Sequence, residues 1–269
     1  MGKLTGRGCT PAALVVGLVV VIVGAVRARR WMARWGSTED ESTQPLPGDG
    51  LVSEPLTGVT RSITIDAPAG AVWPWIAQMG SADLGRAGWY SYDRLDNAGV
   101  PSADRVSSRI PAAQQGDVLV PNPAFAWTVR EAEPGAHLVL ELKSPPGWFR
   151  IHTTWTLAVT PAGDNRSRLV ERSWWDVRPR AVGVPFSLLF EVVDFVMMRK
   201  HLLGVRSRAT ANWSSLRLRR ADAAHCPCAV SEIGPDHVGA APSLIELSLV
   251  PCRASRESEH EAASDAGEG

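Results

Sequence analysis

Residues 63–80, ITIDAPAGAVWPWIAQMG, combine two hydrophobic periods and largely decide the fold. From 59 to 66 the odd-numbered residues are mostly apolar and the even-numbered ones polar, a period of two that predicts a half-buried strand. Residues 67–70, APAG, break the strand. From 71 to 79 the apolar residues recur at spacings of three and four, which predicts a short helix. The folded domain is therefore expected to begin with a strand that turns directly into a helix.

The chain downstream of this unit carries several short β patterns. Residues 80–108 are rich in Gly, Asp, Ser and Arg and predict short helices and loops. The candidate strands that follow are 117–120, 126–132, 137–142, 149–159 and 167–177. The turns between the later strands are so short that these strands must be antiparallel.

A long apolar stripe predicts one helix over residues 185–216, with apolar side chains three and four positions apart. A second membrane span over 182–198 is the alternative interpretation. Glu191 and Asp194 would then lie near the middle of the bilayer, at a cost of several kcal/mol. The pattern therefore favours an amphipathic helix of the soluble domain.

The N-terminal region predicts a transmembrane anchor. No residue between Arg7 and Arg27 is charged, and nineteen such residues in a helix span roughly 28 Å, close to the roughly 30 Å bilayer core. A basic and aromatic collar follows: Arg27, Arg29, Arg30, Trp31, Arg34 and Trp35. A cleaved secretory signal is the alternative, but the run ends without the small residues of a cleavage site. We expect a single-pass protein of the cell membrane, with its soluble domain in the cytoplasm by the positive-inside rule.

Composition divides the chain into four parts. Residues 1–35 form the anchor with its collar, 36–50 a polar linker, 51–218 one ligand-binding domain, and 219–269 a tail predicted to be disordered. The 28 basic and 28 acidic side chains cancel, so no net field favours a nucleic-acid partner. All four cysteines lie outside the predicted domain, which therefore carries no disulfide framework.

No sequence motif for a cofactor or for hydrolytic chemistry is found. A Gly-rich phosphate loop, a nucleophile elbow and an HExxH helix are all missing from the sequence. Residues 225–228, HCPC, contain zinc-ligand types but lack a second ligand pair at suitable spacing. We therefore predict no metal and no cofactor.

Several segments resemble the START-like (SRPBCC) superfamily, which groups polyketide cyclases with lipid-transfer proteins, and in particular its membrane-anchored actinobacterial members. The segments are 63–80, GWYSYDRLDNAG at 88–99, QGDVL at 115–119, TTWTLAV at 153–159, RLVER at 168–172 and FVMMRKHLLGVRSRA at 195–209. The resemblance covers roughly residues 51–216. It implies an α+β helix-grip fold, a curved antiparallel sheet around a long C-terminal helix with an apolar cavity between them. It does not imply a reaction.

Aromatic residues are the candidate ligand contacts, because an indole buries a large apolar area and keeps one donor. The candidates are Trp89, Tyr90, Tyr92, Trp127, Trp155 and Trp174; the alternative is that they only fill the core. His152 and Asp93 are weak catalytic candidates. His152 would act if the Thr face of its strand lines the cavity, and Asp93 could equally cap a short helix. His201, Glu191 and Asp194 are interpreted as the polar side of the long helix.

Three functions fit these features. The first is non-enzymatic: a membrane-anchored domain binds or transports a hydrophobic or amphipathic small molecule, such as a lipid or polyketide. The second is a polyketide cyclase or dehydratase. The third is a membrane-bound interaction scaffold whose cavity is filled by side chains. The sequence leaves open whether the protein is an enzyme.

Overall fold

The computed structural model describes residues 11–120 and 126–224, and the architecture is α+β. One curved, five-stranded antiparallel sheet holds a long C-terminal helix. The helices are α1 (Pro11–Ala33), α2 (Glu39–Thr43), α3 (Ala69–Ala77), α4 (Asp93–Asp96) and α5 (Arg180–Ala224), with one 3₁₀ turn at Ala82–Leu84. The strands are β1 (Thr57–Ile65), β2 (Trp127–Glu133), β3 (His137–Lys143), β4 (Arg150–Pro161) and β5 (Ser167–Arg178). This is the arrangement of a helix-grip fold.

The strand order across the sheet is β1-β5-β4-β3-β2. The β4–β5 hairpin forms its centre, with Trp155 opposite Ser173, and β3 continues the sheet with Leu140 opposite Trp155. The first strand, β1, forms the other edge of the sheet by pairing with the last strand, β5, and Ile63 lies opposite Leu169. The two edge strands of the sheet are therefore β1 and β2.

The inner face of the sheet carries the main hydrophobic core. On β4 and β5 the odd-numbered positions, among them Trp155, Leu157 and Leu169, are almost fully buried. They belong to one cluster with Trp75 of α3 and Leu202 of α5. Burying each of these side chains stabilises the fold by about 1.5–3 kcal/mol.

The outer face is covered by residues 36–50, the segment that composition predicts to be a polar linker. Glu41 binds Arg168 at 2.7 Å and Asp49 binds Arg172 at 2.7 Å. Burial acts to raise the pKa of Glu41, but hydrogen bonds from Arg168, Thr38 and Ser62 outweigh it and lower the pKa to about 2. This segment therefore packs against the sheet and is not a solvated linker. Two arginines of β5 on the outer face bind it, an arrangement that composition alone does not predict.

The predicted elements are found with shifted boundaries. Helix α5 begins at Arg180, five residues before Pro185, and continues to Ala224, past the predicted start of the tail. Residues 117–120 are not a strand; Val118 makes only an isolated bridge to Thr128. Residues 225–269, which include the HCPC sequence and most of the predicted tail, lie outside the described residues.

One helix among the described residues is long and apolar enough to cross a membrane by length and composition, and it lies within α5 at Arg180–Asp222. Two of its acidic residues form ion pairs: Asp194 pairs with Arg61 of β1 at 2.8 Å and Glu191 pairs with Arg29 of α1 at 2.5 Å. Farther along α5, Leu202, Val205 and Ala209 are fully buried in the core. These contacts are those of a domain helix.

Replacing Gly204 with alanine is expected to destabilise the domain by about 1–3 kcal/mol. A Cβ there would lie 2.1 Å from the backbone oxygen of Tyr90, so α5 would have to move away from the core. Gly70→Ala in α3 is the matched control, because its Cβ meets nothing within 4 Å and alanine favours a helix. Urea unfolding measures both variants; equal stability of the two would contradict this packing.

Candidate ligand-binding cavity

A cavity of about 220 Å³ lies between α5 and the inner face of the sheet. Its wall combines the sheet, α5 and the chain around residues 89–96. The lining residues are Trp89, Ser91, Asp96, Val120, Trp127, Trp155, Ser173, Trp175, Phe190, Asp194, Met197, Met198 and His201. Aromatic and thioether groups dominate this wall, as in sites that bind apolar small molecules.

The aromatic side chains of the wall pack against one another. The Trp155 ring lies 5.8 Å from Trp89 and 6.0 Å from Trp127, measured between ring centroids. Trp175 lies 4.9 Å from Phe190 of α5 in the same way. Such contacts hold large rings in fixed orientations, so much of the wall is preformed.

His201 is the central polar residue of the wall. Its Nδ1 lies 2.6 Å from the backbone oxygen of Trp89, and because a carbonyl only accepts, Nδ1 carries the proton. Nε2 is then an acceptor, and it is buried without a hydrogen-bond partner. Burial lowers the pKa of His201 to about 4, so the ring is neutral at physiological pH.

Asp96 supplies a carboxylate to the same wall. Burial, followed by the neighbouring Asp93, raises its pKa to about 6. Its Oδ1 is buried without a hydrogen-bond partner. A carboxyl group with this pKa changes protonation close to neutral pH and is suited to proton transfer.

A buried ion cluster connects the cavity to β1. Nη1 of Arg61 lies 2.8 Å from Asp194 and 3.4 Å from Glu171, and all three side chains are buried. Burial raises the pKa of Glu171 to about 8 despite the Arg61 charge, and burial likewise raises the pKa of Asp194. Among the described residues, no group of three or more His, Cys, Asp or Glu side chains is arranged to hold a metal ion.

The predicted ligand contacts fall into two groups. Trp89, Trp127 and Trp155 line the cavity. The other three do not: Tyr90 is buried in the core and donates to the Trp75 carbonyl, Tyr92 is 40% exposed, and Trp174 lies on the outer face, where its Nε1 donates to Asp49. The alternation of β5 side chains explains the last case, since Trp175 and not Trp174 faces inward.

The two catalytic candidates lie away from the cavity wall. His152 is on the outer face of β4, with its Nε2 2.8 Å from Glu141. The face of β4 that carries His152 and the threonines next to it is therefore the outer one. Trp155 lies on the other face of the strand and lines the cavity. Asp93 accepts hydrogen bonds from the backbone N–H and hydroxyl of Ser102, which is a structural role in a loop.

The residues interpreted as the polar side of α5, His201, Glu191 and Asp194, do not face solvent. All three are buried. Asp194 and His201 share the spacing of Met197 and Met198 along the helix, and the four residues line the cavity together. This spacing of three and four residues indicates that Asp194 and His201 lie on the same helix face as the two methionines. This placement was missed from the sequence because the two residues are polar.

Comparison with known proteins gives structural matches only. No protein-family model matches the chain, and no curated protein matches its sequence. Among solved structures, a hypothetical protein of Helicobacter pylori matches with TM-score 0.36 and 13% identity, covering 61% of this chain and 95% of the other. The Zhui aromatase/cyclase of Streptomyces sp. R1128 matches with TM-score 0.28 and 15% identity, covering 61% and 97%. CalU16 of Micromonospora echinospora matches with TM-score 0.28 and 15% identity, covering 59% and 87%.

Proposed function

We propose that this domain, as a member of the START-like superfamily, binds a small hydrophobic molecule in the cavity beneath α5. The observation that carries the proposal is the composition of the wall, in which four tryptophans, one phenylalanine and two methionines surround a space of about 220 Å³. Transfer of an apolar molecule from water into such a wall is favourable by about 25 cal/mol per Å² buried. The same space disfavours the scaffold hypothesis, which requires a filled cavity.

Methionine methyl groups provide a direct test. The chain contains five methionines, and Met197 and Met198 line the cavity while Met79 is buried in the core outside its wall. In the full-length protein labelled with [¹³C-methyl]methionine, naphthalene is expected to shift the Met197 and Met198 signals by ring-current effects and to leave Met79 in place. Unchanged Met197 and Met198 signals at saturating probe would overturn the proposal.

We further propose that α1 spans the cell membrane and holds the domain on the cytoplasmic side. The apolar side chains from Leu14 to Val26 are all exposed on the domain surface, a state that water does not favour over 13 consecutive residues. The C-terminal end of α1 is fixed to the domain: Arg29 pairs with Glu191, and the Trp31 ring contacts Phe195 at 5.2 Å.

The surface around this junction supports contact with a bilayer. The first half of α5 exposes Val182, Val184, Leu188, Leu189, Val192, Val193 and Val196, and Leu189 is 74% exposed. Trp148, 78% exposed, reaches the same helix through Phe149, whose ring lies 5.8 Å from Phe186. We propose that this face of α5 and Trp148 lie in the membrane interface, the region that tryptophan prefers.

Site-directed spin labels test the membrane proposals in the full-length protein in nanodiscs, after the native cysteines are replaced with serine. Labels at Val20→Cys and Leu189→Cys are expected to be more accessible to oxygen than to a water-soluble nickel complex. Leu218→Cys, an equally exposed leucine near the other end of α5 (67% exposed), is the control and should show the opposite preference. A water-like Val20 label would refute the span; a water-like Leu189 label alone would refute only the interfacial face.

A cyclase or dehydratase is the second candidate, favoured by the near-neutral pKa of Asp96 and the neutral imidazole of His201, which line the same cavity. Both groups lie on the wall of an apolar cavity, where a proton could be moved without competing water. Turnover of poly-β-keto thioesters that disappears in Asp96→Asn, with the Met197 and Met198 response to naphthalene retained, would establish catalysis. Full turnover in that variant would remove Asp96 from the reaction.

A further inference from the structure

Two hydrogen-bond acceptors of the cavity wall are buried without a partner. The described wall residues include the carboxylates of Asp96 and Asp194 and the imidazole of His201, with no lysine or arginine among them. Asp194 is already paired with Arg61, but Oδ1 of Asp96 and Nε2 of His201 have no partner. An unpaired buried acceptor costs about 1–3 kcal/mol, so this wall favours a ligand that brings a donor.

The wall also holds one unpaired donor. Nε1 of Trp155 is buried without a hydrogen-bond partner, and the Trp155 and His201 ring centroids are 5.2 Å apart. The two rings that carry this acceptor and this donor are therefore in contact. A hydroxyl group is a single functional group that donates and accepts at once, and it matches this pair.

We propose that the cavity selects an uncharged apolar molecule bearing a hydroxyl group, such as a phenol or alcohol, whose oxygen binds between His201 and Trp155. The inference rests on the proposed binding function and names its ligand class. A carboxylate brings no donor and loses its hydration in an apolar cavity. An ammonium group brings donors, but it has no lone pair for the Trp155 N–H and loses its hydration in an apolar cavity.

Access to the two nitrogens requires a movement of the wall. Both atoms are shielded from water, and His201 and Trp155 are 0% and 4% exposed. Met197 and Met198 line the same wall, and the unbranched methionine side chain adapts to a ligand more readily than any branched one. The ligand hydroxyl is therefore expected to bind as these methionines change rotamer.

The test compares ligands of equal shape, using the methionine methyl signals of the full-length protein. The probes are 1-naphthol, 1-methylnaphthalene, 1-naphthoate and 1-naphthylmethylammonium. We expect 1-naphthol to bind about thirtyfold more tightly than 1-methylnaphthalene, since each of its two net hydrogen bonds contributes about 1 kcal/mol. In His201→Phe one of these bonds is lost, and the preference should fall to about fivefold or less. An unchanged Met79 signal shows that the variant is folded.

The outcomes separate this inference from the proposed function. If 1-methylnaphthalene binds as tightly as 1-naphthol, or if either charged probe binds most tightly, the hydroxyl inference is refuted while hydrophobic binding stands. If no probe shifts Met197 or Met198, both fail. Should His201→Phe not fold, Trp155→Phe removes only the donor and keeps a ring in place, and loss of the naphthol preference there is still required.

Discussion

Replacing Arg61 with alanine is expected to lower the free energy of unfolding by about 3–5 kcal/mol. Arg61 is 1% exposed and pairs with the buried carboxyl groups of Asp194 and Glu171. Without the guanidinium, Asp194 loses its ion pair and Glu171 loses a hydrogen bond, and both side chains remain in the core. Its Nε also donates to the backbone oxygen of Met32 at 2.9 Å, a bond that the variant loses.

The control for this experiment is an exposed ion pair between an arginine and an aspartate at the end of the same two strands, β1 and β5. Arg166 and Asp66 form an ion pair whose side chains are 59% and 70% exposed, and exposed pairs contribute at most about 1 kcal/mol. Urea unfolding followed by near-ultraviolet circular dichroism should therefore show a large loss for Arg61→Ala and little for Arg166→Ala. Similar losses in the two variants would mean that the buried cluster adds nothing specific to stability.

The fold was predictable because its elements leave periodic signals that do not depend on partners. The alternation before residue 67, the helical spacing after it, and the long stripe of α5 are all local features. The boundaries were less predictable. Pro185 suggested a helix start, yet the helix begins five residues earlier, at Arg180, whose side chain pairs with Asp176 of β5.

The site was only half predictable, because it depends on which face of each element points inward. The period of two places Trp155 and Trp175 on one face and His152 and Trp174 on the other, but it does not say which face is covered by α5. The outer face is covered too, by residues 36–50, so burial exists on both sides. Buried polar residues such as His201 continue the helical spacing of the apolar side chains of α5. Because they are polar, the hydrophobic pattern did not identify them as buried.

The buried cluster links the proposed anchor to the proposed binding site. Arg61 contacts the Met32 carbonyl at the end of α1 and also pairs with Asp194. Asp194 itself lines the cavity. Glu191, one turn earlier in α5, binds both Arg29 and Thr57. The contacts of Arg61 therefore extend from the end of α1 to the cavity wall.

The Glu171→Gln variant is expected to remove a large pH dependence of stability. Burial raises the pKa of Glu171 to about 8, above its ordinary value near 4.5, so the folded state keeps a proton that the unfolded state has lost between these pH values. The unfolded state then binds fewer protons, and stability falls as pH rises through this window. Each pKa unit corresponds to 1.36 kcal/mol, which gives a loss of about 5 kcal/mol between pH 4.5 and 8.

Glutamine resembles the protonated acid in shape and does not titrate, so Glu171→Gln should match the parent near pH 5 and exceed its stability by several kcal/mol near pH 8. Urea unfolding at the two pH values measures this difference of differences, which cancels the contributions of titrating groups that do not interact with Glu171. Glu133→Gln, at an exposed position of β2, should show no such change. A stability difference between Glu171→Gln and the parent that is the same at both pH values would mean that Glu171 is already ionised in the folded core, held by Arg61.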